Sequence, residues 1–463
     1  MVRFSTLCLA LSLLVAAPLA AQPETADVLT AANNTFDSGL ESYNAGTYDE
    51  AYGLFMNVAR GYPYHERTTA ALLMAGKAAY ADGLFSRART ALDQLITEYP
   101  ASRYAEEARR VLAQASGADV QVPFDLGVIL PAGSEDAYLG QAVFNGIRIA
   151  VEEHNAGSPR RPVRLIFRDT GGSAENAAQA VRDAAAAGAE AVIGPLYSGE
   201  AVMAAQAAQE AGIPLLAPLA TAADVTEGRT LAFQANPTFP ARGRAMARYA
   251  VNVLGYRRLG VVSESNTFGE DMGTAFAQEA SRLGAAVVFQ ERLVGAAGWG
   301  DLERRVGASV LGRAQAVYLP VTGEDAPAYA ADALRSLEGL AAPPRPLGNT
   351  EWEGLTTSRA RASRLAALFT RDFFSPPGAV DAFGARYREL SGIGPDRLAL
   401  MGYDLTGFVA RNLDASGEGS LADRLRAATT YQGLGHRFSF DGGQVNTALF
   451  ILAYRDGNAI LVE

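Results

Sequence analysis

Ser198 is the residue whose placement points most directly to chemistry: it directly follows the apolar run Ala191–Pro195 and stands just before a helical stretch, Glu200–Ala211. A hydroxyl in that position converges with the free amides of a helix's first turn, and the helix dipole adds positive potential, so the point is a seat for a carboxylate. Thr221 follows the next apolar run and offers a second hydroxyl from the adjacent loop. Tyr138 and Phe268 stand in loops after the first strand of two successive strand sets, where two rings could clamp an apolar ligand between them. Each residue also has a role that needs no ligand: Ser198 as a helix cap, the rings as packing within their own lobes. Asp169, at a strand end, suits a loop-fixing hydrogen bond better than acid–base work.

Enzyme chemistry lacks its parts. His65, His154 and His436 fall in a repeat, at a helix end and in a late loop, with no metal-ligand spacing, nucleophile elbow or phosphate loop around them. The sole cysteine, Cys8, lies inside an N-terminal apolar segment. The expectation is a non-enzymatic protein with no cofactor and no metal.

That segment sets the compartment. Arg3 precedes the apolar run Leu7–Ala17, and the small-residue stretch Ala16–Gln22 follows, the pattern of a cleavable secretory signal over residues 1–22. Cleavage near Ala20 to Gln22 would remove Cys8, leaving a periplasmic chain with no disulfide, no lipid-anchoring cysteine and no membrane span. A net charge of −10 over 463 residues argues against nucleic acid or an anionic membrane surface as partner, since both reward clustered positive charge. With 49% hydrophobic and 19% charged residues, the composition is that of globular domains.

Residues 26–115 are helical in period and repeat themselves. Gly39, Tyr43, Gly46, Tyr48, Ala51, Phe55 and Pro63 recur 37 positions later as Gly76, Tyr80, Gly83, Phe85, Ala88, Leu92 and Pro100. Small residues let antiparallel helices approach, aromatics fill the space between them and proline stops the second helix. The spacing resembles two tetratricopeptide repeats, with Ser102–Ala108 opening a third, capping helix. Such a unit either offers a concave surface to a protein partner or serves as a spacer or brace.

From Phe124 the pattern changes to short apolar runs alternating with helical stretches, the signature of βαβ units. Strands are predicted at 124–130, 163–169, 191–195 and 214–219, with helices at 139–155, 174–187 and 200–211 between them. A second set comprises strands at 258–264, 286–291, 316–321 and near Leu347, with helices at 268–283, 302–311 and 326–340. Two parallel-sheet sets imply two Rossmann-like α/β lobes with ligand-facing loops at the carboxyl ends of their strands.

Over residues 122–463 the chain resembles the type I periplasmic binding proteins, in the branch of the leucine/isoleucine/valine-binding proteins of ABC importers. The resemblance rests on Gly127–Pro131, Gly140–Ala142, Val192–Ser198, Gly212–Thr221, Phe268–Glu270, Gly402–Asp404 and Phe440–Asp441 in that order. It implies a two-lobed, hinged domain that binds a small amino-acid-like ligand. Ser198 and Thr221 would hold the α-carboxylate, Tyr138 and Phe268 would flank the ligand, and Glu351 would pair with its ammonium group. Tyr403 and Asp404 would secure the crossovers between lobes. One departure stands out: where such relatives present a tyrosine after the strand 316–321, this chain has Thr322-Gly323-Glu324-Asp325. The expected partner is an ABC permease. The joined helical repeats also resemble the architecture of penicillin-binding protein activators, for which the partner would be a cell-wall synthase.

Overall fold

The computed structural model describes residues 24–62, 65–118, 123–157, 159, 161–414 and 419–462. The signal segment, residues 1–22, lies outside the described residues, as does Pro63. The chain divides into two compact units, Met1–Gln121 and Val122–Glu463.

The first unit is five helices: α1 (Glu24–Asn44), α2 (Tyr48–Gly61), α3 (Thr68–Ala81), α4 (Phe85–Glu98) and α5 (Ala105–Ala118). The 37-residue periodicity is visible in its packing. Gly39 lies against Phe55 and Gly76 against Leu92 so closely that an added Cβ would come within 2.7 and 2.5 Å of those side chains. The equivalent ring pairs Tyr43–Tyr48 and Tyr80–Phe85 sit 5.4 and 5.6 Å apart. Helix α3, the central one, is buried along most of its length, and its Lys77 reaches Glu107 on α5.

The second unit holds two sheets. The first joins β1 (Phe124–Leu130), β2 (Val163–Asp169), β3 (Ala191–Ile193), β4 (Leu215–Ala217) and β5 (Ala232–Gln234) in the order β2-β1-β3-β4-β5, all parallel. Between the strands run α6 (Ala137–Ala156), α7 (Ala174–Ala186) and α8 (Ser198–Ala211). Strand β1 is buried on both faces: Leu126, Val128 and Leu130 join the core with α6, while Ile129 joins the core with α7 and α8. That two-sided burial is why its sequence is a continuous apolar run.

The second sheet begins after α9 (Phe239–Arg248). Its parallel part comprises β6 (Arg258–Glu264), β7 (Ala286–Leu293), β8 (Ala316–Tyr318), β9 (Arg345–Gly348) and β10 (Leu368–Arg371). Helix α10 (Thr267–Arg282) follows β6; the single helix expected at 302–311 is two pieces, α11 (Leu302–Val306) and α12 (Ala308–Leu311), because Gly307 takes φ +92° between them. Helices α13 (Ala326–Glu338) and α14 (Arg359–Arg364) complete the layer.

The second lobe therefore does not end near Leu347. After β10 the chain returns to the first lobe as α15 (Asp381–Ser391), α16 (Arg397–Asp414) and α17 (Leu421–Ala427). It then runs through a small pair, β11 (Tyr431–Gln432) and β12 (Arg437–Phe438). It goes back to the second sheet as β13 (Phe450–Arg455) and β14 (Asn458–Leu461), which pair antiparallel at its edge. The final order is β14-β13-β10-β9-β8-β6-β7.

Helix α16 packs on α6 through a close crossing. A Cβ on Gly402 would lie 2.1 Å from the Val143 carbonyl oxygen, and one on Gly146 1.9 Å from that of Ala399. Only glycine permits backbones this near.

Three crossovers join the lobes, and hydrogen bonds tie them to one another. Gln234 and Asn446 exchange backbone contacts between the first and third, with Gln234 N donating to Gln444 O at 2.8 Å and Asn446 N to Gln234 O at 2.9 Å. In the second, Asp372 is buried and accepts from Arg242 of α9 at 3.1 Å and from Arg397 of α16. Burial opposes ionisation of Asp372, but the charges of Arg242 and Arg397 outweigh it and hold the carboxyl well below its ordinary value. The same Arg242 donates to Pro237 O at 3.2 Å, Asn236 Oδ1 at 2.9 Å and Thr350 Oγ1 at 2.9 Å.

Asp404 secures the neighbouring turn. Its carboxylate accepts the amides of Leu434 (2.6 Å), Gly435 (2.9 Å) and His436 (2.9 Å), and lies 3.0 Å from His436 Nδ1. Gly435 O in turn accepts from Phe374 N of the second crossover at 2.9 Å. Tyr403 acts elsewhere: its hydroxyl donates to Glu153 at 2.6 Å, bonding α16 to α6 rather than to a crossover.

Three outcomes follow. Gly402→Ala should cost about 1–3 kcal/mol by overpacking a backbone contact that has no flexible neighbour to move, read from urea denaturation. Asp372→Asn, which strands two guanidiniums on one buried amide, should cost about 3–5 kcal/mol in the same experiment. Glu279 of α10 is held down to about 2, first by the hydrogen bond from Arg282, with burial opposing and Arg248 adding to the effect. A depressed carboxylate stabilises the fold above its ordinary value, near 4.5, and that contribution disappears as pH falls toward about 2. The urea midpoint of Glu279→Gln should accordingly fall less steeply than the parent's between pH 5 and 2.5.

Candidate ligand-binding site

The strand order β2-β1-β3-β4-β5 of the first sheet reverses direction between β1 and β3, so the loops leaving these strands diverge and open a crevice at their carboxyl ends. Open α/β sheets bind ligands at such a switch point. The loop after β1 leads to Tyr138, and the loop after β3 leads to Tyr197 and Ser198. The second sheet repeats the order as β7-β6-β8-β9-β10, placing its switch between β6 and β8. Asn266 to Phe268 and Thr322 to Asp325 leave these two strands.

Ser198 is the first residue of α8, with Tyr197 in the cap position. It does not cap its own helix. Its Oγ accepts the amides of Thr221 (3.1 Å) and Ala222 (3.2 Å), so it pins the loop after β4 onto the start of α8. Ser198 and Thr221 are thus brought together. With its oxygen occupied by two donors, the Ser198 hydroxyl keeps its hydrogen to offer outward. Ala201 N is the first α8 amide with a backbone acceptor, Tyr197 O at 2.9 Å, which leaves the amides of the first turn directed at the same point.

Glu200 lies in that first turn and is buried. Burial raises its carboxyl above the ordinary range, a hydrogen bond with Thr170 partly offsets this, and Asp136 adds to the rise. Asp169 fixes the loop after β1, accepting the amides of Ala132 and Gly171, both at 2.8 Å. The Gly171 bond leads in lowering its carboxyl, burial opposes, and Ala132 and Gly133 contribute further.

Three rings are exposed at these loops: Tyr138 (70%), Tyr197 (40%) and Phe268 (50%). Phe268 stacks on Phe239 at 4.3 Å, which fixes its plane while leaving one face open. Tyr197 escaped the sequence reading, which treated it as part of a motif leading to Ser198. Its hydroxyl is pushed up by burial and then by Asp136, to which it is hydrogen-bonded.

Glu351 lies in the short 3₁₀ turn Thr350–Gly354 after β9, beside the crossover cluster. Loss of hydration raises its carboxyl, Arg242 pulls it back, and Asp372 and Arg397 act with opposite signs. Arg242 and Arg397 therefore bear on its charge, an influence that position in sequence does not reveal.

A cavity of about 560 Å³ opens at the switch point of the second sheet, lined by Phe268, Tyr329, Asn266, Thr322, Glu264, Glu324 and Asp325 among others. Glu264 accepts the Thr322 amide and hydroxyl at 3.1 and 3.0 Å, and Asn266 donates to Thr322 Oγ1 at 2.8 Å. The departure at 322–325 therefore builds one wall of this cavity.

The histidines have structural contacts: His65 Nδ1 accepts the Arg67 amide at 3.1 Å, His154 Nε2 lies 3.0 Å from Arg161 O, and His436 meets Asp404. Among the described residues no three His, Cys, Asp or Glu side chains are grouped to hold a metal ion. No helix of the described residues is long and apolar enough to cross a membrane.

Comparison with known proteins agrees with this architecture. A Leu/Ile/Val-binding protein, BraC3, of Rhizobium johnstonii is 27% identical over 154 residues, 33% of this chain and 42% of that protein. The chain spans less than half the length of the curated relatives it matches, 42 to 48%. Among solved structures, a Rhodospirillum rubrum protein provisionally described as a branched-chain amino acid ABC transporter superposes with a TM-score of 0.60 at 22% identity. It covers 74% of this chain and all of that one. A Desulfitobacterium hafniense ABC transporter substrate-binding protein, in complex with Leu, does so with a TM-score of 0.50 at 22% identity, covering 73% of this chain and all of that one. The family model described as "Periplasmic binding protein" matches residues 123–459. With both switch-point crevices and three crossovers in place, the chain belongs to the periplasmic binding protein family, whose members bind solutes and carry out no catalysis.

Proposed function

We propose that this protein is a periplasmic receptor that captures a small amino-acid-like solute and presents it to an ABC-type permease. The observation that carries the reading is the Ser198 arrangement: a hydroxyl whose oxygen is held by the amides of Thr221 and Ala222, at the start of α8 and at the sheet's switch point. The ligand's carboxylate would take the Ser198 hydroxyl hydrogen, the Thr221 hydroxyl and the first-turn amides of α8. Tyr138 and Phe268 would flank its body and Glu351 would meet its ammonium group. The first lobe binds, the second rotates onto it, and the closed state is favoured because its contacts exist only there. The Leu bound to the Desulfitobacterium hafniense neighbour is consistent with a ligand of this kind.

A second reading has its own support. The compact helical unit preceding the binding domain carries a groove of about 720 Å³ between the turns Glu66–Ala70 and Glu98–Tyr104. On that reading the protein acts by contacts with an envelope partner such as a cell-wall synthase, and solute binding is regulatory or lost.

A thermal-shift screen of amino acids and related solutes decides between them. A cognate solute at 100 times its Kd should stabilise the protein by about 2.7 kcal/mol. Ser198→Ala should weaken that solute ten- to hundredfold, from loss of about 1.5–3 kcal/mol in a hydrogen bond to a charged group. Unchanged affinity in the variant removes the carboxylate seat. A silent screen together with retention of a cell-wall synthase on the immobilised protein replaces the first reading with the second.

A further inference from the structure

The second lobe's cavity says more about the ligand than its carboxylate. It lies between the loops leaving β6 and β8, the switch point at which this sheet's topology places a ligand. This placement is independent of the residues that line it. Those residues have one sign of charge: Glu264, Glu324 and Asp325 are carboxylates, and no arginine, lysine or histidine is among the lining residues. Glu324 and Asp325 are exposed, and among the described residues neither is in a salt bridge. Glu264 is oriented by its two bonds from Thr322.

The walls between the carboxylates are aromatic. Phe268, stacked on Phe239 and half exposed, presents one ring face, and Tyr329 provides another ring. Rings and carboxylates around one space attract a cation twice over, through the ring quadrupole and by direct Coulomb attraction. They repel a carboxylate and give an uncharged alkyl chain little reason to displace water from the acids. Tyr329 reports the field inside: its hydroxyl is pushed up by loss of hydration and then by the charges of Asp325 and Glu264.

We infer that the ligand is an amino-acid-like zwitterion with a second, distal cationic group, its carboxylate at Ser198 and Thr221 and its distal cation in the Glu264–Glu324–Asp325 cavity between Phe268 and Tyr329. This rests on the receptor reading above and narrows it, because a leucine-type side chain would leave the acidic wall without a partner.

Isothermal titration calorimetry of the full protein with L-arginine, L-lysine and L-leucine tests it. Arginine or lysine should bind at least tenfold tighter than leucine. The double variant Glu324→Gln/Asp325→Asn should weaken the basic ligand at least tenfold while changing leucine affinity less than twofold. Both substituted residues are exposed loop positions, and an unchanged thermal melt of the variant confirms its fold. Leucine binding as tightly as arginine and lysine, or basic-ligand affinity unaltered in the variant, overturns the cationic assignment and leaves the receptor reading standing. Absence of binding by all three, with no amino acid shifting the melt, overturns both.

Discussion

Everything at the cleft depends on a buried carboxylate that lies outside it. Asp372 sits in the second crossover between a guanidinium from each lobe, Arg242 on α9 and Arg397 on α16. Removing the carboxylate is costly because the Arg242 guanidinium would stay buried without it. Arg242 extends the constraint by holding Pro237 and Asn236 of the first crossover and Thr350 beside Glu351. One cluster therefore fixes two crossovers and the turn that carries the candidate ammonium partner.

On the receptor reading proposed above, the two lobes would contribute unlike chemistry to one ligand. The first presents donors, with Ser198, Thr221 and the amides of α8 converging. The second presents acceptors and rings. On that reading the polarity would orient a ligand before closure, since a carboxylate in the second lobe would meet like charge and a cation in the first would meet only donors.

Much of this was legible in the chain. Strands β1 and β6 lie at their expected limits because their apolar runs are buried nearly throughout, and β2 because Val163, Leu165 and Phe167 alternate with polar residues. The repeat at 37 residues marked Gly39 and Gly76 as points of close helix approach, and the structure sets them against Phe55 and Leu92. What escaped has physical reasons. Strand β5, Ala232–Gln234, has only two apolar residues, whereas the equally short β3 and β4 are apolar throughout. Strands β10 and β13 pair with each other although some 80 residues separate them, and nothing local announces a return to the first lobe between them. The position of Ser198 at a strand–helix junction was readable because such a junction is local. The influence of Arg242 on the Glu351 carboxyl was not, because it joins residues more than 100 positions apart.

The interleaved path has a consequence for synthesis and export. The helical unit's core draws only on residues between Phe36 and Val111, together with Ala115, so it is complete early in the chain. The first lobe's core instead needs Met401, Leu405 and Phe408, and the second's needs Phe450, Leu452 and Tyr454. Neither lobe can bury its apolar surface until almost the whole polypeptide is available. Contacts of such long sequence separation also form slowly. A chain emerging from its N-terminus therefore stays unfolded over its larger part until late, the state in which a polypeptide can still be threaded through a narrow pore.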